Sequence, residues 1–294
     1  AERGKFDFMF LAEGLRLREQ NGLIYDLDVV GRPDTFTILA ALAAVTEHLG
    51  LAGTINSTFN EPVEVARQFA SLDHLSDGRA AWNVVTSWDA FTGENFRRGG
   101  YLPADQRYVR ARQFLETAVE LWDSWERDDI VADRSSGEFL RRPHAGQFAH
   151  LDSQFDISGT FGVPRSPQVH PVVMQAGDSP SGRDFAAGSA DLIFTRHSGP
   201  ENGRAFRDDI RSRLTAIGRD PDEIQIYPGV SFVIGDTEEE AQAKLEEYER
   251  YVSVDGGMSD NVRTALYDAD YSALLAGRVS DAEPTVARVV GKHC

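Results

Sequence analysis

The stretch Arg79-Ala-Ala-Trp-Asn-Val-Val-Thr-Ser87 decides the fold. An apolar, partly β-branched run closes there on Asn83, Thr86 and Ser87, which is how a buried parallel strand delivers hydrogen-bonding side chains to a site at its carboxyl end. A second run of the same build, Val172-Val-Met-Gln-Ala-Gly-Asp-Ser-Pro-Ser-Gly-Arg183, ends in a turn of small residues ahead of a helix. Backbone N–H groups at a helix start favour an anion, so Gly177, Ser179 and Ser181 make this turn a candidate phosphate cradle. Asp178 argues against phosphate contact through its own carboxylate and is read instead as a helix cap. Two such strand ends suggest one cofactor.

Outward from these runs the chain alternates strand and helix signals, the pattern of a parallel α/β architecture. The strands are expected at Phe6 to Ala12, Leu51 to Asn56, Ala80 to Thr86, Pro171 to Ala176, Asp191 to Thr195 and Ile224 to Ile234. Amphipathic helices are expected at Phe36 to Leu49, Pro62 to Leu75, Ala104 to Trp125, Gly182 to Ser189, Gly203 to Gly218 and Thr237 to Tyr251. From Asp128 to Pro171 the pattern breaks into short β-like pieces punctuated by Gly and Pro, which reads as an insertion between two strands. No Gly/Ser linker or internal repeat divides the chain, so residues 1–294 are read as one domain. A closed eight-stranded barrel typically needs about 250 residues, yet only six strands are visible. The chain is therefore expected to be incomplete at both ends.

Composition narrows the function. A net charge of -17 disfavours nucleic acid and anionic lipid as partners. No apolar stretch reaches the length of a membrane span, and residues 1–20 lack the order of a secretory signal. The single cysteine, Cys294, excludes an internal disulfide and fits a cytoplasmic location. No histidine pair has zinc-site spacing, so no metal is expected. No Gly-x-Gly-x-x-Gly follows a strand, so tight NADH binding is not expected either.

The strings Phe6-Asp-Phe-Met-Phe-Leu-Ala-Glu13, Ala40-Ala-Leu-Ala-Ala-Val-Thr-Glu-His-Leu-Gly50, Leu72-Asp-His-Leu-Ser-Asp-Gly-Arg79, Trp82-Asn-Val-Val-Thr-Ser87, Arg107-Tyr108, Leu121-Trp-Asp-Ser-Trp125 and Pro164-Arg-Ser-Pro-Gln168, in this order, carry a family resemblance. They resemble the nitrilotriacetate monooxygenase component A group of the bacterial-luciferase-like flavin monooxygenases, which includes the dibenzothiophene-sulfone and long-chain-alkane monooxygenases. The resemblance runs from about residue 2 to 255. It implies a (β/α)8 TIM barrel with a long insertion, about residues 97–170, after its fourth strand. It further implies an oxidoreductase that uses FMNH2 and O2 to form a flavin peroxide and oxygenate a small organic substrate. A separate NAD(P)H:flavin reductase would supply the FMNH2, and the flavoprotein would be a homodimer or homotetramer. The alternatives are a deazaflavin-dependent oxidoreductase of the same barrel superfamily and a non-catalytic flavin-binding protein.

Carried over by position, the resemblance places Glu13, Ser57, Asn83 and Thr86 near the flavin and the Tyr108 hydroxyl at its phosphate; the turn holding Gly177, Asp178, Ser179 and Ser181, read from its own residues, is the better phosphate candidate. Glu13 stands where the group usually has Asp. Ser57 also reads as a plain turn residue, and Tyr108 as a core aromatic. Arg97 and Arg98 follow the strand that ends at Thr86, where guanidinium groups could hold an anionic substrate or merely offset the acidic surface. His197, just past the strand ending at Thr195, is the best-placed histidine for acid–base work. His74 is read as structural, His48 as a helix-end cation, and His144, His150 and His170 as neighbours of the insertion.

Overall fold

The computed structural model describes residues 1–17, 19–20, 23–24, 31–87, 95–96, 102–197, 199–230 and 232–251. They fall into two compact units. The larger takes the described residues up to Ile193 together with Glu223–Gln225; the smaller takes Phe194–Asp222 and the described residues from Ile226 on.

The larger unit is an α/β fold on a parallel sheet. Its strands are β1 (Phe8–Leu11), β4 (Gly50–Asn56), β5 (Ala80–Val85), β8 (Val172–Gln175) and the start of β9 (Leu192–Thr195), in that spatial order and all parallel. A short antiparallel pair, β2 (Glu19–Gln20) and β3 (Leu23–Ile24), comes after β1. Helices α1 (Thr35–Ala43), α2 (Pro62–Ser76), α3 (Ala104–Asp123) and α4 (Pro180–Ser189) complete the unit, with a hairpin of β6 (Gln147–Leu151) and β7 (Asp156–Thr160). The β-like pieces read between Asp128 and Pro171 include this hairpin.

The two faces of β5 bury different things, as the alternation of side chains requires. Trp82 and Val84 pack among helix side chains such as Phe69, Phe114 and Trp122. Ala81 joins Ala52, Met174 and Leu192 in a separate small cluster on the other face. The fully buried indole of Trp82 satisfies its N–H on Ile55 O at 3.0 Å, so this large ring fixes β5 to β4 without an unpaired polar atom.

The amino-terminal end of the sheet is tied by polar groups. The Arg79 guanidinium donates to Ala43 O, Thr46 O, Thr46 Oγ1, Leu49 O and Ser76 O. Buried Asp73 accepts from Gln168 N and Nε2 at 2.9 and 2.6 Å. The helix expected to run to Leu49 stops at Ala43. The Glu2 carboxylate collects the N–H groups of Glu47, His48 and Leu49 at 2.6–3.0 Å, an arrangement that competes with helical pairing. His48 donates its main-chain N–H there.

In the smaller unit, α5 (Pro200–Ala216) buries Phe206, Ile210 and Leu214, one stripe at four-residue spacing, and α6 (Glu238–Tyr251) buries Leu245. The strand expected to extend to Ile234 is only β10 (Gln225–Pro228), neighbour of β9 in the sheet order. Pro228 cannot donate to a ladder, and Gly229 comes next.

Replacing Trp82 by Ala should cost about 3–5 kcal/mol, the range for a large aromatic removed from a packed core. Urea unfolding measures this directly; a loss below about 1 kcal/mol would mean that the ring does not organise the core.

Candidate active site

Two polar groupings occupy the carboxyl ends of the larger unit's strands. The first lies on β1, β4 and β5. Thr54 and Asn83 are register partners across β4 and β5, and Asn83 Nδ2 donates to Thr54 Oγ1 at 3.0 Å. Both side chains are buried, and by alternation Asn83 shares the face of Ala81, away from Trp82. Its Oδ1 is buried with no hydrogen-bond partner among the described residues. A buried acceptor left unmade costs about 1–3 kcal/mol, so it is suited to a ligand donor.

Glu13, just beyond β1, directs Oε2 at the N–H and Nδ2 of Asn56, at 3.2 and 2.9 Å. Burial pushes its carboxyl up to about 7, against the opposing pull of the Asn56 hydrogen bonds and with a small contribution from Asp34. With Oε2 accepting from Asn56, the proton held below that pH belongs on Oε1. Ser57 is fully buried, and its hydroxyl donates to Val85 O at 3.3 Å. Thr86 lies just past the end of β5, partly buried, with no side-chain partner among the described residues.

The second grouping surrounds the start of α4. Ser179 is the N-cap: its Oγ accepts from Gly182 N at 3.1 Å and lies 3.3 Å from the Tyr108 hydroxyl. The cap expected of Asp178 is therefore supplied by Ser179. Asp178 instead receives Arg183 Nε and Nη2 on Oδ1, at 3.0 and 2.6 Å, so a cation balances its carboxylate. Pro180 opens the helix, and Ser181 is exposed in its first turn. Gly177 and Gly182 are forced by close approach: a Cβ on Gly182 would sit 3.0 Å from both Gly177 C and the Tyr108 hydroxyl. Tyr108 is thus wedged against the turn, while its ring packs at a tilt on Phe185.

Three supporting residues escaped the sequence reading. Asn56 ends an expected strand and could have been flagged by position, as could Gln175, a polar residue closing an apolar run. Arg110 could not. It looks like a surface residue of an amphipathic helix, yet it is buried, donates to Ser57 O and Asn60 O at 2.9 and 2.8 Å, and lies 4.6 Å from the Phe155 ring centroid.

His197 belongs to the smaller unit, where its Nε2 is 3.1 Å from Thr195 Oγ1 and its ring meets Phe206. Arg97 and Arg98 lie outside the described residues. His74 Nε2 meets Pro164 O at 3.0 Å, a structural contact. His170 pairs with Asp123, and His150 is held between Glu120 and Asp152, so both histidines tie α3 to segments C-terminal to it. Among the described residues no cluster could hold a metal ion, and no helix is long and apolar enough to cross a membrane.

The luciferase-like monooxygenase family profile matches residues 1–287, and the chain belongs to that family. The N-acetyl-S-(2-succino)cysteine monooxygenase of Bacillus subtilis (strain 168) is 43% identical over 84% of this chain and 55% of its own length. Nitrilotriacetate monooxygenase component A of Aminobacter aminovorans is 40% identical over 88% of this chain and 59% of its own length. A riboflavin lyase, solved with modified FMN and riboflavin, superposes with a TM-score of 0.78 and 31% identity, covering 97% of this chain and 66% of that one. The chain thus spans between half and two thirds of these relatives.

Glu13 makes stability depend on pH. Its folded carboxyl holds a proton that the unfolded chain has already released, so the stabilisation is complete below the ordinary carboxylate range and is lost as pH rises through about 7. The loss should reach up to about 3 kcal/mol. Glu13→Gln should flatten that decline in denaturation curves taken from pH 4 to 8, and an unchanged slope would assign the titration elsewhere.

Proposed function

We propose that the chain is the oxygenase component of a two-component flavin-dependent monooxygenase. Reduced FMN from a separate NAD(P)H:flavin reductase and dioxygen would be its co-substrates, with a small organic molecule as substrate. The observation that carries this reading is the meeting of the Tyr108 and Ser179 hydroxyls at the start of α4, at the carboxyl end of a parallel sheet. A helix N-terminus lined by hydroxyls suits a phosphate monoester, and the pairing of Asp178 with Arg183 lessens the local repulsion. We take the natural fold to be a single (β/α)8 barrel domain with an insertion at about 97–170, assembling as a homodimer or homotetramer.

The residues present fit the cofactor. Ser179, Ser181 and Tyr108 would hold the phosphate beside the close-packed turn from Gly177 to Gly182. Asn83 Oδ1, with Thr86, Ser57 and Glu13 nearby in the fold, would face the ring end. Bound reduced FMN supplies the electrons that activate dioxygen. The protein's share is positional. Thr54 holds the Asn83 amide, and Asn56 holds the Glu13 carboxyl, whose Oε1 keeps a proton below about pH 7. Apolar residues around Met174 would exclude water from the sheet face that carries Asn83. We assign acid–base work to His197 and the grip on an anionic substrate to Arg97 with Arg98.

Oxygen uptake is the test. Adding chemically reduced FMN and a panel of small organic compounds should give substrate-dependent oxygen consumption, with oxygenated product recovered. Turnover only with a reduced deazaflavin and no oxygen use would instead indicate hydride transfer, and flavin binding without either reaction would indicate a carrier.

Separate substitutions test the phosphate assignment. Ser181→Ala should weaken FMN binding by about tenfold or more, the scale of a hydrogen bond to a charged group, and leave stability unchanged. Ser179→Ala should weaken binding similarly and also cost about 1 kcal/mol, because it removes the cap on Gly182 N. Fluorescence titration and thermal unfolding read the two effects; unchanged affinity in both variants would move the phosphate elsewhere.

A further inference from the structure

The register of β5 and β8 ends at Asn83 and Met174. The next carbonyl along β5, that of Val84, is met by the Gln175 side chain, whose Nε2 donates to it at 2.8 Å. The same amide's Oε1 accepts the Gly177 N–H. Gln175 is almost fully buried and shares the helix-packed face of Val173. One side chain thus extends the β5 ladder by a rung past the last paired residue, and it grips the first glycine of the turn that follows β8.

We propose that Gln175 is the positioning residue of the phosphate cradle: its amide, bridging Val84 O and Gly177 N, fixes the turn that presents Ser179 and Ser181. The proposal rests on the reading of that turn as the FMN phosphate site. The glycine contacts explain why the bridge must be held. A Cβ on Gly177 would approach Gln175 Oε1 to 2.9 Å, Gly182 Cα to 3.2 Å and the Tyr108 hydroxyl to 3.3 Å. Gln175, the two glycines and Tyr108 therefore form one interlocked group, and the turn cannot shift without moving the hydroxyls. Gly177 N–H is spent on Gln175, and Gly182 N–H on Ser179 Oγ. These two amides fix the turn's shape, and the hydroxyls are left for ligand contact. An amide suits this position because it donates to one backbone atom and accepts from the other; a carboxylate can do only the second, and a thioether accepts only weakly and cannot donate.

The experiment compares FMN with riboflavin, which lacks the phosphate, by fluorescence titration of the wild-type chain, Gln175→Met and Gln175→Glu. The wild type should prefer FMN. Gln175→Met should lose about tenfold of its FMN affinity, the scale of one contact to a charged group, while riboflavin affinity stays within about twofold. Gln175→Glu at alkaline pH, where even a buried carboxyl is ionised, should behave like Gln175→Met. As pH falls and the new carboxyl takes up a proton, it regains a donor for Val84 O, so its FMN affinity relative to wild type at the same pH should recover. A side chain that merely fills volume would show no such recovery. Full retention of the FMN preference in Gln175→Met would overturn the proposal and leave the flavin reading intact. Absence of the preference in the wild type would remove the phosphate site, and the proposal with it. Should Gln175→Met fail to fold, the pH profile of Gln175→Glu decides alone, recovery supporting the role and a flat ratio refuting it.

Discussion

Burial of β5 on both faces is the constraint on which the rest of the larger unit depends. One face is committed to Trp82, whose ring is surrounded by Phe69, Phe114 and Trp122 and whose N–H is spent on β4. That commitment leaves Asn83 on the opposite face, where an apolar environment would penalise it without a partner. Thr54 supplies a partner for the amide nitrogen only. The buried oxygen that remains is a cost to folding of the kind that functional sites carry.

The same economy operates at the end of β8. A parallel strand that simply continued would place its main chain beside β5 and give no turn. Gln175 lends its side chain to the ladder instead, and the backbone is released to build the start of α4. The hydroxyl of Tyr108 then enters from α3, so the turn is fixed from its own strand, its own helix and a helix distant in sequence. A long helix such as α3 therefore serves two purposes: Phe114 and Trp122 fill the core, while Tyr108 and Arg110 reach the loops beyond the strands.

The fold's elements were legible because strand runs and helical stripes are local patterns. The helix at Pro62 and the strand at Ala80 appear within a residue of their expected limits. In two places where expectation and structure differ, another side chain intervened. Glu2 captures the amides past Ala43 and ends α1 early, an event that no window around α1 could reveal. Ser179 rather than Asp178 caps α4 because Arg183 claims the aspartate. At the candidate site, the polar residues at strand ends could be picked out by position, and the structure brings the Tyr108 and Ser179 hydroxyls to 3.3 Å. Arg110 and the pairing of Glu13 with Asn56 could not be picked out, since burial of a charge depends on packing between segments far apart in the chain.

On the proposed reading, one flavin lies across these strand ends with its phosphate at the start of α4. Diffraction from crystals of this chain grown with FMN tests it most directly. The expected result is phosphate density within hydrogen-bond distance of the Ser179, Ser181 and Tyr108 hydroxyls, with a donor of the ring system on Asn83 Oδ1. Flavin density whose phosphate lies away from α4 and whose ring leaves Asn83 Oδ1 unpartnered would contradict it.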